Sequence, residues 1–327
     1  MRTLADVSDV TVSESKGASD RSLFLSTAIA ELFDVLRRER VRAVSLKGPV
    51  LEYQLNGGRS VRPSVDLDIL VSPQDMVRLV EVMRGEGFSC HPDLSGYNLD
   101  AYVRSGRDVV FQSDSGLIVD AKSAFLPAYF GLSYPMAELW DRLEQIEYGG
   151  ASVPVLAMSD NLNFLCIHGC KHLWFESRWL VDVSALILMC DDAVIESAMN
   201  AATRGGTLRM LLVGMQMAAL VMGNDVPERL ADAYHADPVA RELVEELNEL
   251  RGDRVSFRRA TRFRYRMLDR RGSRASFVLR QIFEPTVGDW RWVRLPAGSR
   301  WAYWVLRPIR LFTKLCRGRR SPSSATE

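Results

Sequence analysis

The sequence contains little cysteine and no long hydrophobic run. Its 327 residues include five Cys and no Cys-x-x-Cys spacing, which argues against a disulfide framework. The longest apolar stretch, MLLVGMQMAALVMG at 210–223, is too short to span a bilayer and contains Gln216, so it predicts a buried helix. The first 20 residues lack the continuous apolar segment of an export signal. We therefore expect a cytoplasmic protein.

Charge of one sign is not in excess over the whole chain, since the net charge is +1. It is, however, unevenly distributed. Residues 251–320 contain 20 Lys and Arg against four Asp and Glu, a net charge of +16, and the rest of the chain carries −15. This asymmetry indicates docking of the two regions, an anionic partner for the basic region, or both.

The hydrophobic pattern predicts an α+β protein, in which strands and helices alternate before a helical region follows. We expect a disordered tail at 1–20, an α/β domain at 21–157, a helical domain at 158–250, a basic aromatic extension packing on the core at 251–318, and a disordered tail at 319–327.

Turn and capping residues locate several boundaries. The segment Asp114–Gly116 predicts a hairpin between two strands, and the helical stretch after residue 158 is expected to break near Arg178. Ser72 is the predicted N-cap of a helix that follows the strand VDLDILV. Pro308 is expected to interrupt any helix in the last segment of the chain.

Two aspartates interrupt an apolar strand in RPSVDLDILV at 62–71. Because side chains alternate along a strand, Asp66 and Asp68 project from one face, roughly 7 Å apart along the strand. Val65, Leu67, Ile69 and Val71 then occupy the opposite face, where a helix layer can cover them. Carboxylates arranged in this way can bind Mg²⁺, and two such ions can serve phosphoryl-type transfer.

Further polar residues could complete such a site. Asp120 ends a hydrophobic strand in GLIVDAKSAF and reaches the same position if that strand lies beside VDLDILV. Lys47 and Gly48 stand at a strand-to-turn junction, where a lysine charge and a close backbone suit a phosphate. Arg62 is a candidate for another phosphate contact. Alternatively, the two aspartates have only structural roles, with Asp66 at the end of a turn and Asp68 paired with Arg62.

Three groups of motifs together resemble a bacterial nucleotidyltransferase-like family of the DNA polymerase β superfamily. The first is SLKGPVLEYQL followed by RSVRPSVDLDILVSPQDMVRLVEVMRGEGF. The second is CIHGCKHLWFESRWLVDVSAL, and the third is EPTVGDWRWVRLP with YWVLRPIRLF. These matches extend discontinuously from about residue 43 to residue 313.

The resemblance implies a polymerase-β-like nucleotidyltransferase core, with a small mixed sheet and flanking helices, followed by a helical domain. It implies that Asp66, Asp68 and Asp120 bind metal, with two Mg²⁺ ions expected, and that NTP is a substrate. Lys47 and Gly48 replace the Gly-Ser turn more usual in the superfamily. Lys122 stands where family members often have a His, and it is either a phosphate ligand or a solvated lysine.

His168 and His172 are four residues apart and share a helical face with Lys171 and Asp182. A zinc site with Cys166 and Cys170 is disfavoured, because the cysteines lie along a different edge. If the chain is a nucleotidyltransferase, as the resemblance implies, this face could contact the triphosphate or the base of the nucleotide. Alternatively, Asp182 caps the helix or pairs with Arg178, and His168 is a buried, hydrogen-bonded histidine.

The basic C-terminal region combines arginines with aromatic residues, including Trp290, Trp292, Trp301 and Trp304. This composition suits docking on the acidic part of the chain, which we favour, and it also suits nucleic acid or an anionic membrane surface.

Two functions are therefore considered. One is Mg²⁺-dependent transfer of a nucleoside monophosphate from an NTP to an acceptor hydroxyl, on a small molecule, a peptide, a protein or RNA. The other is a non-catalytic nucleotide- or anion-binding module of the same fold.

Overall fold

The fold is seen in a computed structural model that describes residues 22–59, 66–92, 102–103, 107–132, 134–223, 225–250 and 255–318. Within these ranges, seven strands form one mixed sheet in the order β3-β4-β5-β2-β1-β7-β6. The strands are β1 Ala43–Ser45, β2 Asp66–Val71, β3 Ser89–His91, β4 Val109–Gln112, β5 Ile118–Lys122, β6 Glu144–Tyr148 and β7 Ala151–Val155.

Helices surround this sheet and then continue to the end of the described chain. The helices of the sheet region are α1 (22–38), α2 Pro49–Leu55, α3 Met76–Gly85 and α4 Met136–Asp141. The helical region contains α5 Met158–Lys171, α6 Arg178–Met189, α7 Asp192–Gly205, α8 Leu208–Met222, α9 Glu228–Ala236 and α10 Pro238–Glu249. The basic region contains α11 Phe257–Arg266, α12 Arg271–Phe283, α13 Val287–Trp292 and α14 Tyr303–Gly318, with short 3₁₀ helices at Ala128–Phe130 and Ala297–Ala302.

Strand β2 lies in the middle of the sheet. It pairs with β1 in antiparallel fashion and with β5 in parallel fashion, in a register that places Asp68 beside Asp120. Strand β4 precedes β5 and pairs with it in antiparallel fashion, which confirms the predicted hairpin. The mixed sheet with its flanking helices and a following helical region confirms the predicted α+β class.

The two faces of the sheet belong to different hydrophobic cores. Leu67, Ile69 and Val71 of β2 pack in one core with buried residues of α1 and α3, as the alternation in the sequence predicts. Val65 lies outside the described residues. Leu70 and Val44 belong to the second core, which includes buried residues of α5, α6 and α8. The face of β2 that carries Asp68 is therefore turned toward the helical region.

One local prediction is corrected, two strands were not predicted, and one predicted helix break is confirmed. The helix after β2 begins at Met76, with Asp75 rather than Ser72 as N-cap, because residues 73–75 first form a turn. Strands β3 and β6 were not predicted; both are short and largely exposed, so their hydrophobic pattern is weak. The predicted break near Arg178 is confirmed, since α5 ends at Lys171 and α6 starts at Arg178.

Helix α14 runs through Pro308, contrary to the expectation that this proline ends it. A proline removes the backbone donor that would bond to the carbonyl four residues earlier. That carbonyl belongs to Trp304, whose side chain is exposed. Water can satisfy the carbonyl there, so the helix continues at moderate cost.

The basic C-terminal region contacts both parts of the preceding chain. Phe277 of α12 packs on Phe130, with ring centroids 5.5 Å apart, and Trp290 of α13 lies 6.1 Å from Tyr102. The guanidinium of Arg264 donates to the carbonyl oxygen of Lys171 at 3.0 Å.

Candidate functional site

Neighbouring strands place two of the predicted acidic residues side by side. Asp68 of β2 and Asp120 of β5 are partners in the parallel register. Asp68 has only 1% of its side chain exposed, whereas Asp120 has 27% exposed. The pair thus lies where the interior begins to open, with Asp120 nearer to solvent.

Lys122 supplies the positive charge at this position. Its Nζ lies 3.0 Å from Oδ1 of Asp68 and 3.6 Å from Oδ2 of Asp108, and it also contacts Oδ2 of Asp120. The Lys122 side chain is 3% exposed. The alternative that Lys122 is a solvated lysine is therefore wrong, because it is buried among three carboxylates.

Two further lysines complete a group that we call the lysine–carboxylate cluster. Nζ of Lys47 donates to Oδ2 of Asp68 at 2.6 Å, and Nζ of Lys171 lies 3.5 Å from Oδ2 of Asp108. The cluster consists of three lysines and three aspartates: Lys47, Lys122, Lys171, Asp68, Asp108 and Asp120. Its formal charges balance, which is how buried charged groups are ordinarily tolerated.

Electrostatics within the cluster keep Asp68 and Lys122 ionised. Burial raises the pKa of Asp68, but Lys122 and Lys47 outweigh it and bring this pKa below its usual range. Burial lowers the pKa of Lys122, but Asp68, Asp108 and Asp120 outweigh it and raise this pKa above its usual range. These opposite shifts describe a strong ion pair at neutral pH.

Asp120 is in a different electrostatic situation. Burial raises its pKa above the usual range, and the attraction of Lys122 only partly offsets this, since Asp108 and Asp68 repel its negative charge. Its Oδ1 atom is buried and has no hydrogen-bond partner among the described residues. An unsatisfied carboxylate oxygen of this kind is suited to accept a hydrogen bond from a bound hydroxyl.

The remaining residues predicted near the aspartates are placed as follows. Asp66 starts β2 and is partly exposed, in register with Ile118, two positions before Asp120 on the neighbouring strand. Gly48 precedes α2 with a φ of 86°, a conformation that favours glycine, beside the cluster member Lys47. Arg62 lies outside the described residues.

The predicted helical face is divided between two environments. Lys171, at the end of α5, joins the lysine–carboxylate cluster. His168 is buried, and its ring lies 4.7 Å from both His172 and Trp179. Burial lowers the pKa of His168 far below the usual range, with Lys47 adding to the effect, so the ring is neutral. Asp182 lies on α6 and is partly buried.

His168 is buried, as one alternative expects, but its hydrogen bonding is incomplete among the described residues. Its Nε2 atom is buried and has no hydrogen-bond partner within the described part of the chain. A neutral imidazole can either donate or accept at this atom. The Nε2 atom of His168 therefore retains a free hydrogen-bonding position with respect to the described residues.

The arrangement does not fit a resident site for two magnesium ions. Within the described ranges, no group of three His, Cys, Asp or Glu side chains is positioned to hold a metal. The ammonium of Lys122 instead occupies the centre of three carboxylates, and the balanced cluster retains no net negative charge to attract divalent cations.

Sequence reasoning missed Asp108. It immediately precedes β4, whose register places Val110 opposite Asp120. The sequence offered one indication. Asp108 is the first residue of DVVFQ, the predicted strand that comes before the strand with Asp120. Its role could be inferred only after β4 and β5 were known to pair and Lys171 was known to approach them.

A polar network also stabilises the start of α5, outside the predicted site. The carboxylate of Asp160 is buried and accepts hydrogen bonds from the Tyr134 hydroxyl at 2.9 Å and from Nη2 of Arg142 at 2.9 Å. These bonds join the loop after β5 and the end of α4 to the first turn of α5. The network therefore supports the helix that presents Lys171 and His168.

No helix in the described part of the chain has both the length and the apolar character needed to cross a membrane.

Comparison with known proteins places this site in a family context. The family model described as "Uncharacterised nucleotidyltransferase" matches residues 5–223, about two thirds of the chain. Among solved structures, the chain is similar to an antigenic nucleotidyltransferase-like protein from Paracoccidioides brasiliensis, with 10% identity and a TM-score of 0.33, over 57% of this chain and 89% of that one. No similar sequence was found among curated proteins.

The family match spans β2, β5 and α5, the elements that carry the lysine–carboxylate cluster. The predicted relationship to nucleotidyltransferases is confirmed at this level, while a bacterial origin and a place in the polymerase β superfamily stay predictions. The chain therefore belongs to the uncharacterised nucleotidyltransferase family.

Proposed function

We propose that this protein transfers a nucleoside monophosphate from an NTP to an acceptor hydroxyl at the lysine–carboxylate cluster. The observation that carries the proposal is the register pairing of Asp68 with Asp120, beside three lysines, in a chain of this family. Carboxylates and lysines on adjoining elements combine groups that accept a proton with groups that neutralise phosphate charge.

The anionic triphosphate would be bound by the lysines at the edge of the cluster. Lys47 and Lys171 are each 14% exposed. They contact different carboxylates, Lys47 that of Asp68 and Lys171 that of Asp108. Gly48, with its positive φ, allows the backbone to approach a phosphate closely. His168 supplies one further hydrogen-bonding atom from α5.

The reaction itself would be an in-line displacement at the α-phosphorus. The acceptor oxygen forms a bond to the α-phosphorus as the bond to the bridging oxygen breaks, and pyrophosphate leaves with that electron pair. Asp120 accepts the hydroxyl proton through its unsatisfied Oδ1, and its raised pKa favours this role. The protein contributes mainly by positioning the reactants and neutralising charge.

Magnesium enters this proposal with the substrate, as the usual Mg²⁺ complex of an NTP, and ATP is one candidate donor. Asp66 is partly exposed at the start of β2, so it is the carboxylate available to a cation that accompanies the triphosphate. The cluster aspartates retain their lysine partners, and no resident two-ion site is part of the proposal.

Labelled nucleotides test this function directly. The protein is incubated with Mg²⁺, a cell extract and each NTP, labelled either at the α-phosphate or at the γ-phosphate. Nucleotidyl transfer places the α-label on an acceptor, whether a small molecule, a peptide, a protein or RNA, and releases the γ-label as pyrophosphate. Transfer of the γ-label instead, or equal labelling by wild type and Asp120→Asn, contradicts the proposal.

One observation favours a second candidate, a non-catalytic module that binds nucleotide or another anion. Asp68 and Asp120 already have a cationic partner in Lys122, which leaves their charges compensated before any ligand arrives. A module of this kind would show saturable NTP binding by calorimetry and no label transfer in any extract. Calorimetry of NTP binding and the label-transfer assay together therefore separate the two candidates.

A further inference from the structure

The outer side of helix α14 carries a continuous apolar stripe. Trp304, Val305, Ile309 and Phe312 are all exposed, Phe312 to 67%, and their spacing places them on one face of the helix. Trp301, in the preceding 3₁₀ helix, is 72% exposed and extends the stripe by one turn.

The opposite side of α14 is fixed to the protein, so this orientation is not accidental. Tyr303 is buried, and its hydroxyl donates to the carbonyl oxygen of Val293 at 2.7 Å. Arg307 and Arg310 donate to the buried carboxylate of Asp289 at 2.9 Å and 2.7 Å. These contacts lock the helix with its tryptophan, valine, isoleucine and phenylalanine side chains outward.

The neighbouring helix has the same character. Helix α12 packs against α14. Its exposed residues include Val278, Leu279, Ile282 and Phe283, which recur at helical spacing. Two adjoining helices with exposed apolar stripes present far more apolar surface than scattered single residues, and such surface usually meets a partner.

The positive charge of the basic region indicates an anionic partner for the stripe. Residues 251–320 carry a net charge of +16, and Arg291 and Arg294 are exposed beside the exposed Trp292. A helix with an exposed aliphatic and aromatic face, in a basic and tryptophan-rich part of the chain, is typical of helices that lie in the headgroup region of an anionic bilayer.

We propose that the outer face of α14, with the adjoining face of α12, binds the surface of an anionic lipid bilayer. The helix lies parallel to the membrane, with Trp304, Ile309 and Phe312 inserted at the boundary between headgroups and acyl chains. The basic region supplies attraction to the lipid charge. The proposal stands whether or not the lysine–carboxylate cluster is catalytic.

Vesicle sedimentation of the full-length protein tests the proposal. Vesicles of phosphatidylcholine alone are compared with vesicles that also contain phosphatidylglycerol, at low and high salt. We expect binding to the anionic vesicles, at least tenfold weaker for the triple variant W304S/I309S/F312S and weaker at high salt. The three residues are exposed, so the variant should fold, which circular dichroism checks.

A matched control removes exposed apolar residues elsewhere. F175S/L188S changes two side chains that are as exposed as those of α14 but lie outside the basic region, and it should retain wild-type binding. No binding to anionic vesicles overturns the proposal. Equal binding by wild type and the triple variant also overturns it. Loss of a dimer or of RNA binding in the triple variant, without vesicle binding by wild type, assigns the face to a second copy or to nucleic acid instead.

Discussion

The ammonium nitrogen of Lys122 lies 3.0 Å from Oδ1 of Asp68, and both side chains are almost completely buried. A cation at this distance from a carboxylate, and in contact with two more, fills the place that a metal ion takes in a site of three carboxylates. Lys122 is therefore central to the charge balance of the lysine–carboxylate cluster.

Lys122→Ala should convert the cluster into a divalent-metal site. Removal of the ammonium leaves the three aspartates with two lysines, so the cluster becomes net negative. Breaking a buried ion pair typically costs about 3–5 kcal/mol of unfolding free energy. We expect the variant to be destabilised by an amount in this range, and to regain part of the loss when millimolar Mn²⁺ or Mg²⁺ is added, as measured by thermal and urea unfolding.

Arg229→Ala is the control for this experiment. Arg229 pairs with Glu196 at 3.2 Å on the surface, where an ion pair contributes little. The unfolding free energy of Arg229→Ala should stay near that of wild type and should not depend on Mn²⁺. Absence of Mn²⁺ binding by Lys122→Ala, seen by calorimetry of the folded variant, would show that the lysine does not stand in for a metal.

Asp66→Asn and Asp68→Asn should separate chemistry from stability. Asp66 is partly exposed at the start of β2, whereas Asp68 is buried and paired with Lys47 and Lys122. We expect both variants to lose nucleotidyl transfer, but only Asp68→Asn to lose about 2–4 kcal/mol of stability, because it removes the carboxylate that pairs with Lys47 and one of the three that contact Lys122. Transfer and urea unfolding are measured on the same preparations. Undiminished transfer by Asp66→Asn would remove that residue from the proposed site.

The strand pattern made much of the site predictable. Alternation placed Asp66 and Asp68 on one face, and a hydrophobic strand ending in Asp120 suggested a neighbour for β2. The structure pairs these strands and turns the apolar residues of β2 toward α1 and α3. Such features follow from local periodicity, which a single sequence displays directly.

Other features of the site and the fold depend on long-range packing, which local sequence patterns do not reveal. The position of Lys122 depends on Asp108, which immediately precedes β4, and the cluster also takes in Lys171 from α5. No local pattern distinguishes a lysine that enters such a cluster from one in solvent. Pro308 is a similar case, since its tolerance within α14 depends on which side of the helix is exposed.

Gly149→Ala should destabilise the contact between α1 and the β6–β7 hairpin. Gly149 has a φ of 61°, and a Cβ atom there would lie 2.2 Å from the carbonyl oxygen of Ser26. Gly150 is the matched control, because it also has a positive φ, 86°, but a Cβ atom would meet nothing within 4 Å. Both substitutions carry a conformational cost of about 1–2 kcal/mol. We expect Gly149→Ala to cost at least 1 kcal/mol more by urea unfolding, and equal losses would indicate that α1 moves away freely.

Acid should weaken the attachment of α14 through Asp289. Burial raises the pKa of this residue, but hydrogen bonds from Thr286, Arg310 and Arg307 outweigh it and hold the pKa at about 2. Because the folded pKa is below the ordinary value of 3.8, the stabilisation is present above pH 4 and disappears as the pH falls through 2. It amounts to about 2 kcal/mol, and the side chain is only 1% exposed, so solvent screens it little.

Asp289→Asn tests this linkage. The variant should be less stable than wild type at pH 7, and the difference in unfolding free energy should shrink by about 2 kcal/mol as the pH is lowered toward 2. Asp34→Asn, which alters an exposed pair with Arg37, should show a difference below about 1 kcal/mol throughout. A difference for Asp289→Asn that stays constant with pH would mean that its carboxylate charge does not hold α14. The outward orientation of Trp304 and Phe312 would then need another cause.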